Sequence, residues 1–425
     1  MTARDVLGGE QRRTIIHNAY LPATAGAPAM SSNLALEARG GANPRLWAVN
    51  PDNDTVSVFD AVSRSKLAEV AVGSAPRTLA LTPGGSAMWV VNKRASTISV
   101  ISTATLTVTQ TIALPRGSAP YGAAMLRGAN AALVALEGSG SLMKLDAGSG
   151  AVLGSVAVGA NPRHVAVSGD GASAYVSRFV SPPLPGESTT SVQTSISGMP
   201  VGGELIVVNP VSMAITRTIV LAHNDAPDAE NQGRGIPNYL GAAVLSPDGT
   251  QAFVPSKQDN VLRGSARDGM QLNFQNTVRA ISSRIDLAAQ QEDLGARIDH
   301  DNASVASAAA FDPLGVYLFV ALETSREVAV LDAHSRNQLL RIDVGRAPQG
   351  VLVSPDRRTL YVHNFMDRTI GVFDLTPLIQ QGLAAATPLA TLASVGSEKL
   401  TATVLKGKQI LLRRPRYAAW RATAT

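Results

Sequence analysis

A unit of about 42 residues recurs along this chain, and it constrains the fold more than any other feature. In the first copy, Trp47, Asn50, Val56, Val58 and Asp60 precede Gly73 and Pro76; in the second, Trp89, Asn92, Thr97 and Val100 precede Pro120. A third copy runs to Pro162, another ends at Pro348, and a last begins near Leu360. Asn50 to Asn92 spans 42 residues, Pro76 to Pro120 spans 44, and Pro120 to Pro162 spans 42. The longer gaps, 75 residues to Pro237 and 111 more to Pro348, read as one unit and two units, each with an insertion. Seven units result: 32–74, 77–117, 121–160, 163–234, 237–302, 304–346 and 349–396.

Each unit carries four short stretches of Val, Ile, Leu and Thr, as half-buried and buried strands do. Four strands in ~42 residues is the period of a β-propeller blade. A β-sandwich lacks such a repeat, and a solenoid coil is usually shorter. The expected fold is therefore all-β: a seven-bladed propeller of four-stranded antiparallel blades over 32–396, with irregular segments at 1–31 and 397–425. A blade cannot bury both faces alone, whereas radial packing covers the faces and closing the ring protects the edges. Gly and Pro at the junctions are expected to supply the special backbone angles. The first innermost strand falls at 33–37, so every blade is one continuous segment. A clasp mixing the termini is then absent, or residues 14–20 provide it.

Composition narrows the function. Charged residues make up 16% of the chain and hydrophobic ones 45%, which excludes a disordered chain. No apolar run approaches the ~20 residues of a transmembrane helix. There are no cysteines, so disulfides, thiolate catalysis, zinc–thiolate sites, iron–sulfur clusters and a covalent haem c are excluded for these residues. The net charge of +5 sits in the tail. There Lys399, Lys406, Lys408, Arg413, Arg414, Arg416 and Arg421 face Glu398 alone. The body is near neutral and lacks the basic stripe of a nucleic-acid binder. Residues 1–31 lack the charged start, apolar core and cleavage site of a signal peptide.

Three features carry a family resemblance: strand ends V-V-N and V-H-N, the following T-[IV]-x-V-[IF]-D, and the closing V-G-x-x-P. On these, 32–396 resembles the YVTN-type β-propeller repeat family, whose members include exported binding and surface proteins and propellers fused to electron-transfer domains. The resemblance implies a periplasmic or cell-surface location. Residues 398–410, EKLTATVLKGKQI, are similar to the linker that in some bacterial members leads into a di-haem cytochrome c peroxidase-like domain. The chain then departs into LLRRPRYAAWRATAT, without C-x-x-C-H. The segment 397–425 reads as the remnant of such a linker, or as a basic tail of a naturally short protein. Haem c would belong only to the missing domain, and no cofactor is expected in this chain.

In a propeller, the loops between second and third strands and those between blades open on one face around the channel, the default site. Residues 181–203 insert there in the fourth unit and 258–276 in the fifth, which suggests a lid over one side of the mouth. Arg77, Tyr121, Arg163, Asn238 and Gln349 follow the junction prolines, or their position in the repeat, and should ring the mouth. Arg178, Lys257, Glu323, His363 and Asn364 end strands and should lie nearby. Three arginines and Lys257 favour an anion, a carboxylate or an acidic partner surface. The alternative is that these side chains satisfy loop carbonyls and pair with neighbouring acids.

Catalytic candidates are thin. Among His17, His164, His223, His300, His334 and His363, no pair has metal-ligand spacing. His300 and Asp301 form an acid–base couple only if a loop brings them together, since neighbours on a strand point apart. His363 is the best single candidate. The Gly-rich stretch 138–141 reads as a hairpin loop, and Asp60, Asp146, Asp332 and Asp374 as turn caps. The expected function is a non-catalytic binding or scaffold propeller, a monomer, presenting its channel mouth to a protein or small anionic ligand. The alternatives are the propeller part of a truncated di-haem peroxidase-like protein and, with less support, a lactonase-like hydrolase.

Overall fold

A computed structural model describes residues 2–4, 10–12, 28–229, 231–265 and 267–411. Seven antiparallel sheets, each a meander from inner to outer strand, form a seven-bladed β-propeller. Blade 1 consists of Leu34–Glu37, Arg45–Asn50, Thr55–Asp60 and Lys66–Ala71. Blade 7 consists of Pro348–Val353, Thr359–Asn364, Thr369–Asp374 and Thr387–Ala393. The unit boundaries read from the repeat agree with the blades to within about four residues, except that the fourth unit, 163–234, runs past its outer strand, which ends at Leu221.

Burial explains the residue pattern. The two middle strands of each blade are covered on both faces and read as runs of apolar residues, whereas the outer strand is largely exposed. The cores lie between blades. Trp47 and Val49 of blade 1 pack with Leu79 and Val90 of blade 2, and Leu46 and Phe59 of blade 1 with Tyr361 and Val372 of blade 7. Each such side chain contributes roughly 1.5–3 kcal/mol.

The Asn and Gly of the repeat form a joint between blades. Asn364 ends the second strand of blade 7 and lies against Gly345, at the end of blade 6. The Gly345 N–H donates to Asn364 Oδ1 at 3.1 Å, and Asn364 Nδ2 donates to the Thr369 hydroxyl at 3.3 Å. Asn92 also sits on Gly73, but with the bond reversed, its amide nitrogen donating to the Gly73 carbonyl at 3.3 Å. No room remains for a side chain: a Cβ on Gly345 would stand 2.6 Å from Asn364 Cγ. The seventh joint closes the ring with the two ends of the fold. Asn50 Nδ2 donates to the Ser394 carbonyl at 3.4 Å and Asn53 Nδ2 to that of Ser397 at 2.9 Å.

The junction turns differ from the expectation in one respect. Of the junction glycines, Gly117 and Gly159 adopt the left-handed backbone angle as expected, with φ 77° and 88°, but the angle also recurs on the residue before the Pro, at Ala75, Ala119, Asn161 and Ala347, with φ between 46° and 57°. For an alanine this costs about 1 kcal/mol. A recurring hydrogen bond holds it, since the carbonyls of these four accept from the N–H groups of Lys93, Glu137, Phe179 and Phe365 at 2.8–3.2 Å.

Parts of the N-terminal segment expected to be irregular form strands. Thr2–Arg4 pairs with Glu10–Arg12, and residues 28–33 cross the central channel. Ala29–Met30 adds a fifth strand inside blade 4, against Val167 and Ala166. Ser31 N–H then donates to Val165 O (2.8 Å), and Ser32 O accepts from Leu79 N–H (2.7 Å). Asn33 Nδ2 donates to Gln349 O at 2.9 Å before the chain enters blade 1. The crossing is so close that a Cβ on Gly350 would stand 1.8 Å from Asn33 Oδ1. Apart from this fifth strand, the strands of every blade come from one continuous segment; residues 14–20, the alternative clasp, lie outside the described residues.

After blade 7 the chain continues as a strap. Glu398 pairs with Arg368 at 2.7 Å, and Lys399 with Asp54 at 3.1 Å. The helix Ala402–Leu411 places Lys408 on Asp52 at 2.7 Å. The rest of the basic tail, 412–425, lies outside the described residues. Among the described residues no helix is long and apolar enough to cross a membrane.

The joint predicts a contrast between glycines. Gly345→Ala should destabilise the fold by about 1–3 kcal/mol through overpacking. Gly84→Ala, with nothing within 4 Å of its new Cβ, should change stability by less than about 0.5 kcal/mol. Urea unfolding of the two variants checks this, and equal effects would remove the joint as a packing constraint.

Candidate functional site

The crossing segment divides the channel. Above it, on the face of the blade-to-blade loops, lies a cavity of about 340 Å³. Arg77, Tyr121, Arg163, Glu323 and Gln349, all expected at the mouth, line it. His164, Phe179 and Tyr239 line it as well.

The other five expected residues fall outside its wall. Arg178 takes the Asn position of the joint in blade 4: it packs on Gly159, donates from Nε to Ala160 O at 2.9 Å and pairs with Glu204. Asn364 is the joint residue of blade 7 described above. His363 is buried beside Asn50, Asn53 and Ser394, between blades 7 and 1. Lys257 pairs with Asp259 at 2.9 Å and lies over the Tyr239 ring. Asn238 donates to Asp259 at 2.9 Å and accepts from Ser181 N–H at 3.1 Å. For Arg178 and Asn364 the physical reason is the alternation of a strand: the last residue of the second strand faces the neighbouring blade, and the next one turns toward the mouth. Lys93, Glu137, Phe179, Glu323 and Phe365 occupy that next position, each held by the same backbone bond. Phe179, Glu137 and Lys93 were thus visible in the repeat one residue beyond the strand ends.

These groups form a continuous stack. The Arg163 guanidinium lies 3.3 Å from the Phe179 ring centroid and 4.9 Å from that of Tyr121. Phe179 stacks on Tyr239 at 4.5 Å, and Lys257 lies 4.0 Å over the far side of Tyr239. Glu137 anchors one end, accepting from Lys93 at 2.6 Å and pairing with Arg163 at 3.0 Å. Cations over aromatic faces are worth about 0.5–2 kcal/mol each, more where water is excluded. Burial pushes the Lys93 ammonium down, with Glu137 opposing.

Blade 5 supplies the irregular part of the wall. Pro255 stands in its second strand and has no N–H for the ladder. The inner strand opposite is interrupted between Ile236–Asn238 and Val244–Leu245. Five residues, 239–243, face Val254, Pro255 and Ser256 across this gap. Gly241 N–H donates to Pro255 O at 2.8 Å. Tyr239 adopts φ 55°, rare for a residue of its bulk, and is held out at the mouth. The insertions bracket this region. The first carries the small hairpin Ser195–Ile196 and Met199–Pro200; in the second, 258 and 259 belong to the strand Gln251–Asp259. Arg267 donates to the carbonyls of Thr189 and Glu187, both at 2.6 Å, tying the insertions together. Neither supplies a residue to the cavity wall beyond the turn at Phe179, so the expected lid is a buttress beside the cavity.

Two ionisable groups in this cavity lack an ionic partner. The Arg77 guanidinium makes no ion pair or hydrogen bond with any described residue, and its buried Nε is unsatisfied. Its only contact of this kind is with the Tyr121 ring, at 5.7 Å. Glu323 accepts one hydrogen bond, from Gln349 Nε2 at 3.0 Å, and burial pushes its carboxyl above the usual range.

The histidines are structural in character. His164 meets Ser31 Oγ at 3.3 Å and Tyr121 edge-on, and burial beside Arg163 pushes it down to about 3. His300 is buried against Ser282 Oγ at 2.8 Å and is likewise pushed to about 3, while Asp301 bonds the Asn302 amide. The pair is therefore not an acid–base couple. Burial lowers His363 to about 4. Asp60, Asp146, Asp332 and Asp374 cap turns through backbone N–H groups, and 138–141 is a hairpin loop.

No family model matches the chain, and no curated protein sequence matches it. Solved structures do match its fold. One is hydrazine synthase of Kuenenia stuttgartiensis, with a TM-score of 0.64 and 17% identity over 85% of this chain and 99% of that one. At that identity the likeness shows the propeller architecture.

The buried histidines set a pH dependence. Each is neutral when folded and binds a proton once unfolded below its ordinary 6.5. Stability then falls with pH at about 1.4 kcal/mol per pH unit per histidine, until the folded values are passed. Asp299, raised to about 6 by burial, and Glu323 act oppositely, because they hold protons in the folded chain. They offset part of the loss above about pH 4.5, so the steepest fall belongs between about pH 4.5 and 3. Urea midpoints at about pH 7, 5 and 3.5 test this. A flat profile below about pH 5 would mean that the histidines are not held neutral.

Proposed function

We propose that this chain is a non-catalytic binding propeller whose channel mouth holds a small anionic ligand. Arg77 carries the reading. A guanidinium facing a cavity without an acid loses hydration and recovers little until a planar anion binds it. Aromatic walls with a few converging polar groups, closed below by the crossing segment, suit a small molecule better than a polymer. The Asn–Gly joints support reading the repeats as YVTN-type. On that resemblance we place the protein in the periplasm or at the cell surface, as a monomer.

A second reading has its own support. The stretch similar to a linker toward a di-haem cytochrome c peroxidase-like domain is docked through Glu398, Lys399 and Lys408. That favours a propeller serving as the rigid half of a redox protein, as does the name of the enzyme among its structural neighbours. Haem c would then belong to the other half.

A thermal-shift panel of small carboxylates and inorganic phosphate tests the first reading. At least one anion should raise the melting temperature of the full chain. Arg77→Ala should weaken that anion about tenfold or more, the loss of a charge-assisted hydrogen bond. Arg163→Ala should weaken it too, by loosening the stack. Undiminished binding by Arg77→Ala would return that residue to a structural role.

A further inference from the structure

We propose that the ligand is a zwitterion, with its carboxylate on Arg77 and its ammonium on Glu323. This rests on the anion-binding reading above and adds a second charge to it.

The argument is one of leftover charges. Around the mouth, the other charged side chains named above are matched. Lys93 and Arg163 share Glu137, Lys257 takes Asp259, and Arg178 takes Glu204. Among the charged side chains that line the cavity, Arg77 and Glu323 are the exceptions. They line the same cavity from blades 2 and 6, across the ring, and no ion pair joins them. Either charge alone would favour a simple cation or a simple anion. Both together in one cavity favour a molecule carrying the complement of each.

The surroundings agree with this assignment. Gln349 fixes the orientation of the Glu323 carboxyl by donating to one oxygen at 3.0 Å, which leaves the other oxygen for a donor. Gln349 is itself placed by the crossing segment, because its carbonyl accepts from Asn33 Nδ2 at 2.9 Å. The raised proton affinity of the Glu323 carboxyl is what burial without a cation produces, and a bound ammonium would reverse it. Tyr121, Phe179 and Tyr239 offer apolar faces for the body between the two charges. A volume of about 340 Å³ lies at the low end for ligand pockets, so an amino-acid-sized compound fits better than a larger one.

Matched probes that differ only by the ammonium test the assignment on the full chain. Suitable pairs are phenylalanine with 3-phenylpropionate, 4-aminobutyrate with butyrate, and 5-aminovalerate with valerate, each titrated by calorimetry. In at least one pair the amino compound should bind about tenfold more tightly than its acid, as a charge-assisted contact would give. Glu323→Gln keeps the shape and removes the charge. It should erase that tenfold advantage while leaving the plain acid's affinity within about twofold, and its melting temperature should be unchanged or higher. Arg77→Ala should weaken both members alike. If the acids bind as tightly as the amino compounds, or Glu323→Gln preserves the advantage, the zwitterion assignment is wrong and the anion-binding reading survives. If Arg77→Ala weakens neither member, the anion-binding reading itself fails. If no probe binds, the zwitterion assignment is overturned.

Discussion

Ring closure is the constraint on which the rest of this structure depends. A propeller whose blades are each one continuous segment has no shared strand to bind its ends together. Here blade 1 and the stretch after blade 7 meet through side chains instead. Asn50, Asn53, Ser57 and Lys66 donate to the carbonyls of Ser394 and Ser397. Asp52 accepts from both Arg368 and Lys408. Leu46 and Phe59 then pack on Tyr361 and Val372 as at any other interface. The last junction therefore again uses a strand-end asparagine, as Asn92 and Asn364 are used elsewhere, but here it joins the two ends of the fold. Were it open, two blade faces would be exposed, and the mouth cavity, whose wall draws on all seven blades, would have no fixed shape.

Much of the architecture was legible because the repeat is periodic. The blade count, boundaries, insertions and Asp-capped turns follow from spacing and residue type. The joint between Asn92 and Gly73 was present as letters of a motif, but not as a contact, because its partners lie in different blades. The site was legible only in part. Arg77, Tyr121, Arg163, Glu323 and Gln349 were found from their repeat position. Arg178 and Asn364 were misplaced by a single residue of register, which on a strand exchanges one face for the other. Tyr239 could not be placed by the repeat, because Pro255 breaks the blade beside it. The crossing segment left no periodic signal, since six residues held by backbone bonds need no pattern of their own.

The site gathers where local rules are broken. Blade 5 contains a proline in an inner strand, an interrupted partner strand and a tyrosine with a left-handed backbone. Blades 2, 3 and 7 hold alanines in the same strained region beside their prolines. Strain of this kind persists where the surroundings over-determine it. Here the stack from Tyr121 to Lys257 does so, with Glu137 and Asp259 fixing its ends. Rigid walls of this sort favour a ligand that arrives with matching shape, since little reorganisation is left to pay for.

The crossing segment has a topological consequence. Residues 28–33 lie on the axis, and the blades that surround them come later in the chain, up to residue 393. Blades 2, 4 and 7 hold this thread at once, through Leu79, Val165 to Val167 and Gln349, so distant sides of the ring are tied to one another across the axis. In this sense residues 28–33 act as the spindle on which the wheel is built, and the cavity above them is the space left at the spindle's upper end.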